Sequence, residues 1–380
     1  MADELVAWRP EFPILENTVY LISHSLGAMP RRTRDSLLAY TDTWAARGIR
    51  AWEEGWWRMP VTVGALVGKI IGAGPGEVVM HQNVSICQSI IHSCFDWTAQ
   101  RNKLVTESLN FPSNLYLFQG LQRLGARVVN IESEDGITAP LEKIIAAIDS
   151  ETRLVSVSHV LFRSSALQDL KAITDRAHEV GACIMADIYQ SAGTVPLNMR
   201  ELGVDFATGG SVKWLCGGPG AGYLYVRRDL WPALEPRVTG WAAHKQPFAF
   251  DSSSMEYAED ALRFTTGTPN VPAMYAAKSG YEIIHEVGVE KIRAKSIRQT
   301  ELLIALAEEA GFSIRCPRNP NDRGGTVTID VPNGNAVTAE LARREILVDY
   351  RPGAGIRIAP HFYSKDEELE LVIREIGKIR

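Results

Sequence analysis

Several signals are missing from this sequence, and each absence narrows the reading. Five cysteines stand at 87, 94, 183, 216 and 316 without any CxxC spacing, so no disulfide framework is expected. No HExxH or other paired-ligand spacing of His and Cys occurs, which predicts no metal site. No segment approaches the roughly 18–20 apolar residues of a membrane span. The opening residues, MADELVAWRPEF, are acidic and lack the basic start and apolar core of a secretory signal, so the expected location is the cytoplasm. A formal net charge of −5, with Lys and Arg scattered, leaves no basic footprint for nucleic acid. No internal repeat or low-complexity stretch stands out. What is present is 380 residues, 46% hydrophobic and 22% charged, the composition of an ordinary soluble globular protein. At about 150 residues per domain, that length suggests two or three domains.

The hydropathy pattern predicts strands alternating with helices. Val19–Ile22 reads as a short strand before SHSLGAMP, and a helix is expected over 31–47. An apolar helical pattern over 61–71 stops at the Gly72–Gly76 cluster. Further strands are predicted near 78–80, 104–106, 127–131, 154–158, 183–186 and 204–208, with helices at about 141–148 and 169–180 between them. This alternation implies βαβ units, an α/β class and a mainly parallel sheet. After Val226 it breaks into Pro-, Ser- and aromatic-rich loops over 232–270. Two long helices follow, from about 272 and over 289–310, and then an α+β remainder. Ser364 and Glu367 have the spacing of a capping box for a last helix. The expected organisation is an N-terminal arm (1–14), a large domain (15–270) and a smaller C-terminal domain (271–380).

The most informative stretch runs from Ala182 to Arg227. The apolar run Cys183–Ala186 ends abruptly at Asp187, and a carboxylate there lies where open α/β sheets place ligands. A second run leads through Gly209 and Gly210 to Ser211 and Lys213, followed by glycine-rich 217–222. Read singly, Asp187 is a helix cap and Lys213 a solvated lysine. Together, at strand ends 26 positions apart, they form the pair that a lysine-bound aldehyde cofactor needs. The lysine forms the Schiff base, and the aspartate keeps a pyridine nitrogen protonated so that the ring accepts electrons. The glycines of 217–222 do not follow GxGxxG and do not open a helix, which speaks against a dinucleotide site.

Other segments admit two readings each. Asn83-Val84-Ser85 opens a helix, so it is either a plain N-cap or an anion site built from free N–H groups and the Ser85 hydroxyl. Phe111, before Pro112, is either core packing or a ring that stacks on a flat cofactor. Trp44, Trp52, Trp56 and Trp57 fit a core or subunit contact better than an aromatic substrate wall.

In this order these residues resemble the fold-type I pyridoxal-phosphate enzymes of the class V aminotransferase superfamily, from about Tyr20 to the C-terminus. Within it they are most similar to the kynureninase branch. The resemblance is carried by NFPSNLY at 110–116, VSHV at 157–160 with Phe162-Arg163, Gly240-Trp241 through His244, RFTTGTP at 263–269, and VDYRPGAGIRIAPHFY at 348–363. It implies a large domain with a seven-stranded type of sheet and a small C-terminal domain. It implies pyridoxal 5'-phosphate held covalently by Lys213, which also moves the Cα proton, with Asp187 on the pyridine nitrogen. Val84, Ser85 and Ser211 would hold the phosphate, aided by Trp241 and by Thr268 from a partner subunit of a homodimer. Phe111, Ser158 and Gln190 would complete the cofactor site. Arg357 would clamp the α-carboxylate of an amino-acid substrate, a bidentate task suited to guanidinium; without the resemblance, an internal pair with Asp349 is the preferred reading. The implied reaction is hydrolytic Cβ–Cγ cleavage of a kynurenine-type substrate to an aromatic acid and alanine. The alternative is transamination, β-elimination with C–S lysis, or epimerisation. Four positions depart from the branch: Gln190 stands for histidine, Val212 for tyrosine and Asn114 for aspartate, and Leu161 occupies a commonly polar position.

Overall fold

Alternation within the strands decides the architecture. In the computed structural model, which describes residues 3–379, successive strand side chains feed two different apolar cores. Val78, Met80, Ile184 and Ala186 point into one core, while Val79 and Met185 point into the other. Such strands are buried on both faces, as a sheet covered by helices on each side requires.

In chain order the elements are β1 (Val19–Tyr20), α1 (Arg32–Arg47), α2 (Met59–Ile71), β2 (Val78–His81), α3 (Val84–His92), β3 (Lys103–Glu107), α4 (Pro112–Gln122), β4 (Arg127–Ile131), α5 (Leu141–Ala147), β5 (Thr152–Ser158), α6 (Leu170–Glu179), β6 (Cys183–Asp187), α7 (Met199–Leu202), β7 (Phe206–Gly210) and β8 (Gly222–Val226). There follow α8 (Val271–Val287), α9 (Val289–Glu309), β9 (Ser313–Ile314), β10 (Val327–Asp330), α10 (Gly334–Arg343), β11 (Ile346–Leu347), β12 (Asp349–Arg351), β13 (Gly355–Ile358) and α11 (Asp366–Ile379). The large sheet has seven strands in the order β2-β8-β7-β6-β5-β3-β4. Only β8 runs against its neighbours β2 and β7. α2, α5, α6 and α8 cover one face, and α3 and α4 the other.

The second unit is a four-stranded antiparallel sheet, β12-β13-β10-β9, under α9, α10 and α11. The apolar core does not break at the expected boundary of 271. Val271, Met274, Ala277 and Tyr281 of α8 belong to the large core, and α9 contributes Val289 and Ile292 to it before Leu303 and Ala307 enter the small one. The chain's start is tied to its end by β1, which pairs in parallel with β11 (Val19↔Ile346, Tyr20↔Leu347). The first two residues of the expected arm lie outside the described residues. Among the described residues no helix is long and apolar enough to cross a membrane.

Two local expectations need correction. The seventh strand starts at Phe206 rather than Val204, because α7, capped by Asn198, occupies the preceding turn. The expected capping box at the last helix does not form. The Ser364 hydroxyl accepts the His361 N–H at 3.0 Å, and Glu368 rather than Glu367 takes the free N–H of Lys365.

β3, β5, β6 and β7 end along one sheet edge, with Ser158 beside Asp187 and Asp187 beside Thr208. The lysine loop is pressed onto that edge by α8. A methyl added at Gly280 would run into the Leu215 carbonyl and the Cys216 backbone, the latter at 2.7 Å. Gly280→Ala should therefore lower stability by about 1–3 kcal/mol in urea unfolding, the usual range for overpacking. Gly120→Ala, on α4 where nothing lies within 4 Å, should be neutral or stabilise by up to about 1 kcal/mol. The reverse ranking would contradict this packing.

Candidate active site

The site begins with a carboxylate held from two sides. Asp187 ends β6 at 8% exposure. Its Oδ1 accepts the Tyr189 N–H at 2.9 Å, and its Oδ2 accepts Asn114 Nδ2 at 2.8 Å. Asn114 is held in turn by Asn110 Oδ1 at 2.8 Å, which also receives the Ser158 hydroxyl at 3.1 Å and the Phe111 N–H at 2.8 Å. Burial raises the Asp187 pKa, while the Tyr189 N–H, the Asn114 amide and Lys213 pull it back down. Beneath this network Glu107, fully buried, accepts the Ser158 N–H at 2.9 Å. Burial lifts its pKa to about 8.

Lys213 follows β7 on the loop toward β8 and is half-buried. Among the described residues its amine has no hydrogen-bond or ion-pair partner. Instead it lies 4.3 Å from the Tyr189 ring centroid and 5.4 Å from that of Phe111. Desolvation brings its pKa down to about 8, with Asp187 opposing and Arg357 and Arg351 reinforcing that shift. A neutral fraction of the amine is therefore present near physiological pH.

Arg357, on β13, is 2% exposed. Its Nε and Nη2 grip Asp349 Oδ1 and Oδ2 at 2.8 and 2.5 Å, and Nη1 donates to the Phe162 carbonyl. The pair preferred on the residues alone is thus present. Of five guanidinium N–H donors, three are used and two stay free for a carboxylate. Asp349 also faces His24 Nε2 at 3.0 Å and Arg351 at 3.1 Å. Burial works against the Asp349 charge, but His24 and Arg357 hold its pKa well below the ordinary range. Burial likewise takes His24 down to about 3, so His24 is a neutral imidazole.

The other expected residues divide. Val84 and Ser85 open α3, where Asn83 caps the Ile86 N–H at 3.1 Å. Among the described residues the Val84 and Ser85 N–H groups have no acceptor, so an anion finds free donors there. Gln190 is buried between the His24 carbonyl, to which its Nε2 donates at 3.1 Å, and Trp214 Nε1, which donates to its Oε1 at 3.0 Å. One Gln190 N–H remains available. Ser211 departs from expectation: its hydroxyl is fully buried, bonded to the Ala221 carbonyl and to the Tyr281 hydroxyl of α8. Its one proton is therefore not directed at a phosphate. Trp241 packs on Trp57, Phe248 and Phe250, and Thr268 is exposed. Among the described residues neither touches the lysine cluster. Tyr189, His24, Glu107 and Asn110 were not singled out from the sequence. Tyr189 could have been, since it follows Asp187 by two residues on the same strand-end turn.

The donor set fits pyridoxal phosphate. An uncommitted amine of low pKa can reach an aldehyde, a fixed carboxylate can hold a pyridinium, and unbonded helix N–H groups can meet a phosphate. A methyl at Gly210 would collide with the Tyr189 phenol, so the floor of the cradle needs glycine.

Comparison with known proteins finds relatives along nearly the whole chain. The family model described as Aminotransferase class-V matches residues 19–361. Kynureninase of Bacillus anthracis is 32% identical over 99% of this chain and 92% of its own length. Kynureninase of Pseudomonas fluorescens is 30% identical over 92% and 86% respectively. Among solved structures, a cysteine desulfurase from Thermococcus onnurineus NA1 superposes with a TM-score of 0.87 at 22% identity, covering 98% of this chain and 97% of that one. A cystine C–S lyase in complex with its product, cysteine persulfide, gives a TM-score of 0.87 at 20% identity over 96% and 99%. At these identities the two structures speak for the fold alone.

The electrostatics predict how Lys213 titrates. In cofactor-free protein, labelling of Lys213 by an amine-reactive reagent should show a midpoint near pH 8 rather than the ordinary lysine value of 10.5. Asp187 stabilises the ammonium, so Asp187→Asn should move the midpoint down. Arg357 opposes the ammonium, so Arg357→Met should move it up. Peptide mass mapping across pH checks both signs.

Proposed function

This chain belongs to the class-V aminotransferase family and is a pyridoxal-phosphate-dependent enzyme; on that premise we propose that it hydrolyses a kynurenine-type amino acid at the Cβ–Cγ bond. The observation that carries this reaction is the likeness to kynureninases, which spans almost the whole of both chains.

When bound, the cofactor supplies an electron sink for the pair left at Cα when its proton departs. The chain's own residues do the rest. The Lys213 amine, brought to about pKa 8, takes the proton from Cα and returns it, a task best served by a pKa near the working pH. Asp187, fixed from two sides, keeps a proton on the pyridine nitrogen. The two unused N–H groups of Arg357 receive the substrate α-carboxylate, while Asp349 and Phe162 hold the guanidinium still. Val84 and Ser85 meet the phosphate, and Phe111 covers the ring.

Trp241 and Thr268 serve the site of a partner subunit in a homodimer. The exposed Leu38, Trp44, Trp241, Phe248 and Phe250 support such an interface, since large exposed apolar groups mark contact surfaces. The substrate is a small-molecule amino acid, nucleic acid is not a partner, and the enzyme works in the cytoplasm. A second reading is transamination, β-elimination with C–S lysis, or epimerisation. It is favoured by Val212, which offers no hydroxyl beside the lysine.

Purified protein should be yellow and should release anthranilate from kynurenine. Lys213→Ala should abolish the visible band and cut turnover by about 10²–10⁴-fold, the usual range for a lost proton-transfer group. Yellow protein that gives no anthranilate product from kynurenine or hydroxykynurenine would favour the second reading. A colourless protein that takes up no cofactor would contradict both.

A further inference from the structure

Tyr189 has no role in the scheme above beyond its backbone, yet three features place the residue at the cofactor site, two of them through its side chain. Its N–H fixes Asp187 at 2.9 Å. The Lys213 amine sits 4.3 Å from its ring centroid and 5.4 Å from that of Phe111, so two aromatic rings line the space around the reactive nitrogen. Its phenol oxygen lies over Gly210, where any Cβ would strike it.

The position of that oxygen matters. Gly210 pairs across the sheet with Gly222, and a methyl on Gly222 would come within 2.9 Å of the Asn83 backbone. Asn83 caps α3. The phenol therefore ends on a glycine-floored strip that leads to the free N–H groups of Val84 and Ser85. Among the described residues the phenol has no hydrogen-bond partner. Burial raises its pKa, reinforced by the nearby Asp187, so it remains a proton donor at neutral pH. The Ser211 hydroxyl, two residues before Lys213, is by contrast consumed by Ala221 and Tyr281.

We propose that Tyr189 is a cofactor-binding residue whose ring forms the wall opposite Phe111 and whose hydroxyl donates to the cofactor phosphate in place of Ser211. This rests on the pyridoxal-phosphate reading and adds to it a donor that the family motifs of this chain do not mark. Glycine at 210 is then a requirement of the same device, because it makes room for the phenol.

The test compares pyridoxal phosphate with pyridoxal, which lacks the phosphate, by tryptophan-fluorescence titration of cofactor-free protein. Tyr189→Phe keeps the ring and should weaken pyridoxal phosphate binding about tenfold, the scale of one hydrogen bond to a charged group, while leaving pyridoxal binding unchanged. Tyr189→Ala should weaken both. Gly210→Ala, whose methyl would strike the Tyr189 ring carbons as well as its hydroxyl, drives the whole ring off its seat and should weaken both ligands, as Tyr189→Ala does. Circular dichroism melting establishes that each variant is folded. Tyr189→Phe protein that keeps the wild-type ratio of the two affinities, or loses both ligands equally, overturns the proposal and leaves the cofactor reading intact. Wild-type protein that binds neither compound overturns both.

Discussion

A buried negative charge at the end of a strand is the constraint on which this active site depends. Asp187 is nearly out of water, and an isolated carboxylate there would take up a proton. Two hydrogen bonds and the Lys213 charge oppose that, the bonds coming from the chain immediately after it and from Asn114 on α4. Asn114 is in turn set by Asn110 and Ser158, so the ends of β3, β5 and β6 are locked to one another through side chains. The charge keeps Lys213 from losing its proton too readily, while desolvation and the arginines push the other way. A lysine near pKa 8 is the balance of these opposed terms rather than of burial alone.

The small unit repeats the principle with a different outcome. Asp349 is surrounded by Arg357, Arg351 and His24 and stays charged. It spends its charge on aiming Arg357 instead of on a cofactor. His24 reaches it from the loop after β1, which β11 holds in place, so the N-terminal segment helps to set the Asp349–Arg357 pair. In the proposed scheme two aspartates at two sheet edges thus do related work, one holding a proton on a ring and the other holding a guanidinium fork in position.

Much of this was legible in the sequence because its cause is local. The apolar runs of β6 and β7 end at a charge or at glycines, so Asp187 and the lysine loop could be placed from the pattern alone. The Asn83 cap and Phe111 before Pro112 are likewise written within four residues of themselves. What escaped depends on distant partners. Ser211 is drawn away from the site by Tyr281, 70 positions on, and His24 meets Asp349 across 325 positions. The core runs past 271 because α8 packs back on α1 and α2, which helical periodicity does not reveal. Tyr189 was hidden for a subtler reason: its side chain reaches the site only because a strand with which it shares no pattern has glycine at 210.

The central claim is that Asp187 is an ionised anchor holding a proton on the cofactor ring. Nitrogen-15 NMR of the protein loaded with ring-labelled pyridoxal phosphate reads that proton directly. A pyridinium shift in the wild type that moves to the neutral-pyridine position in Asp187→Asn is the predicted result. A neutral ring nitrogen in the wild type, or a pyridinium shift indifferent to Asp187→Asn, would contradict it.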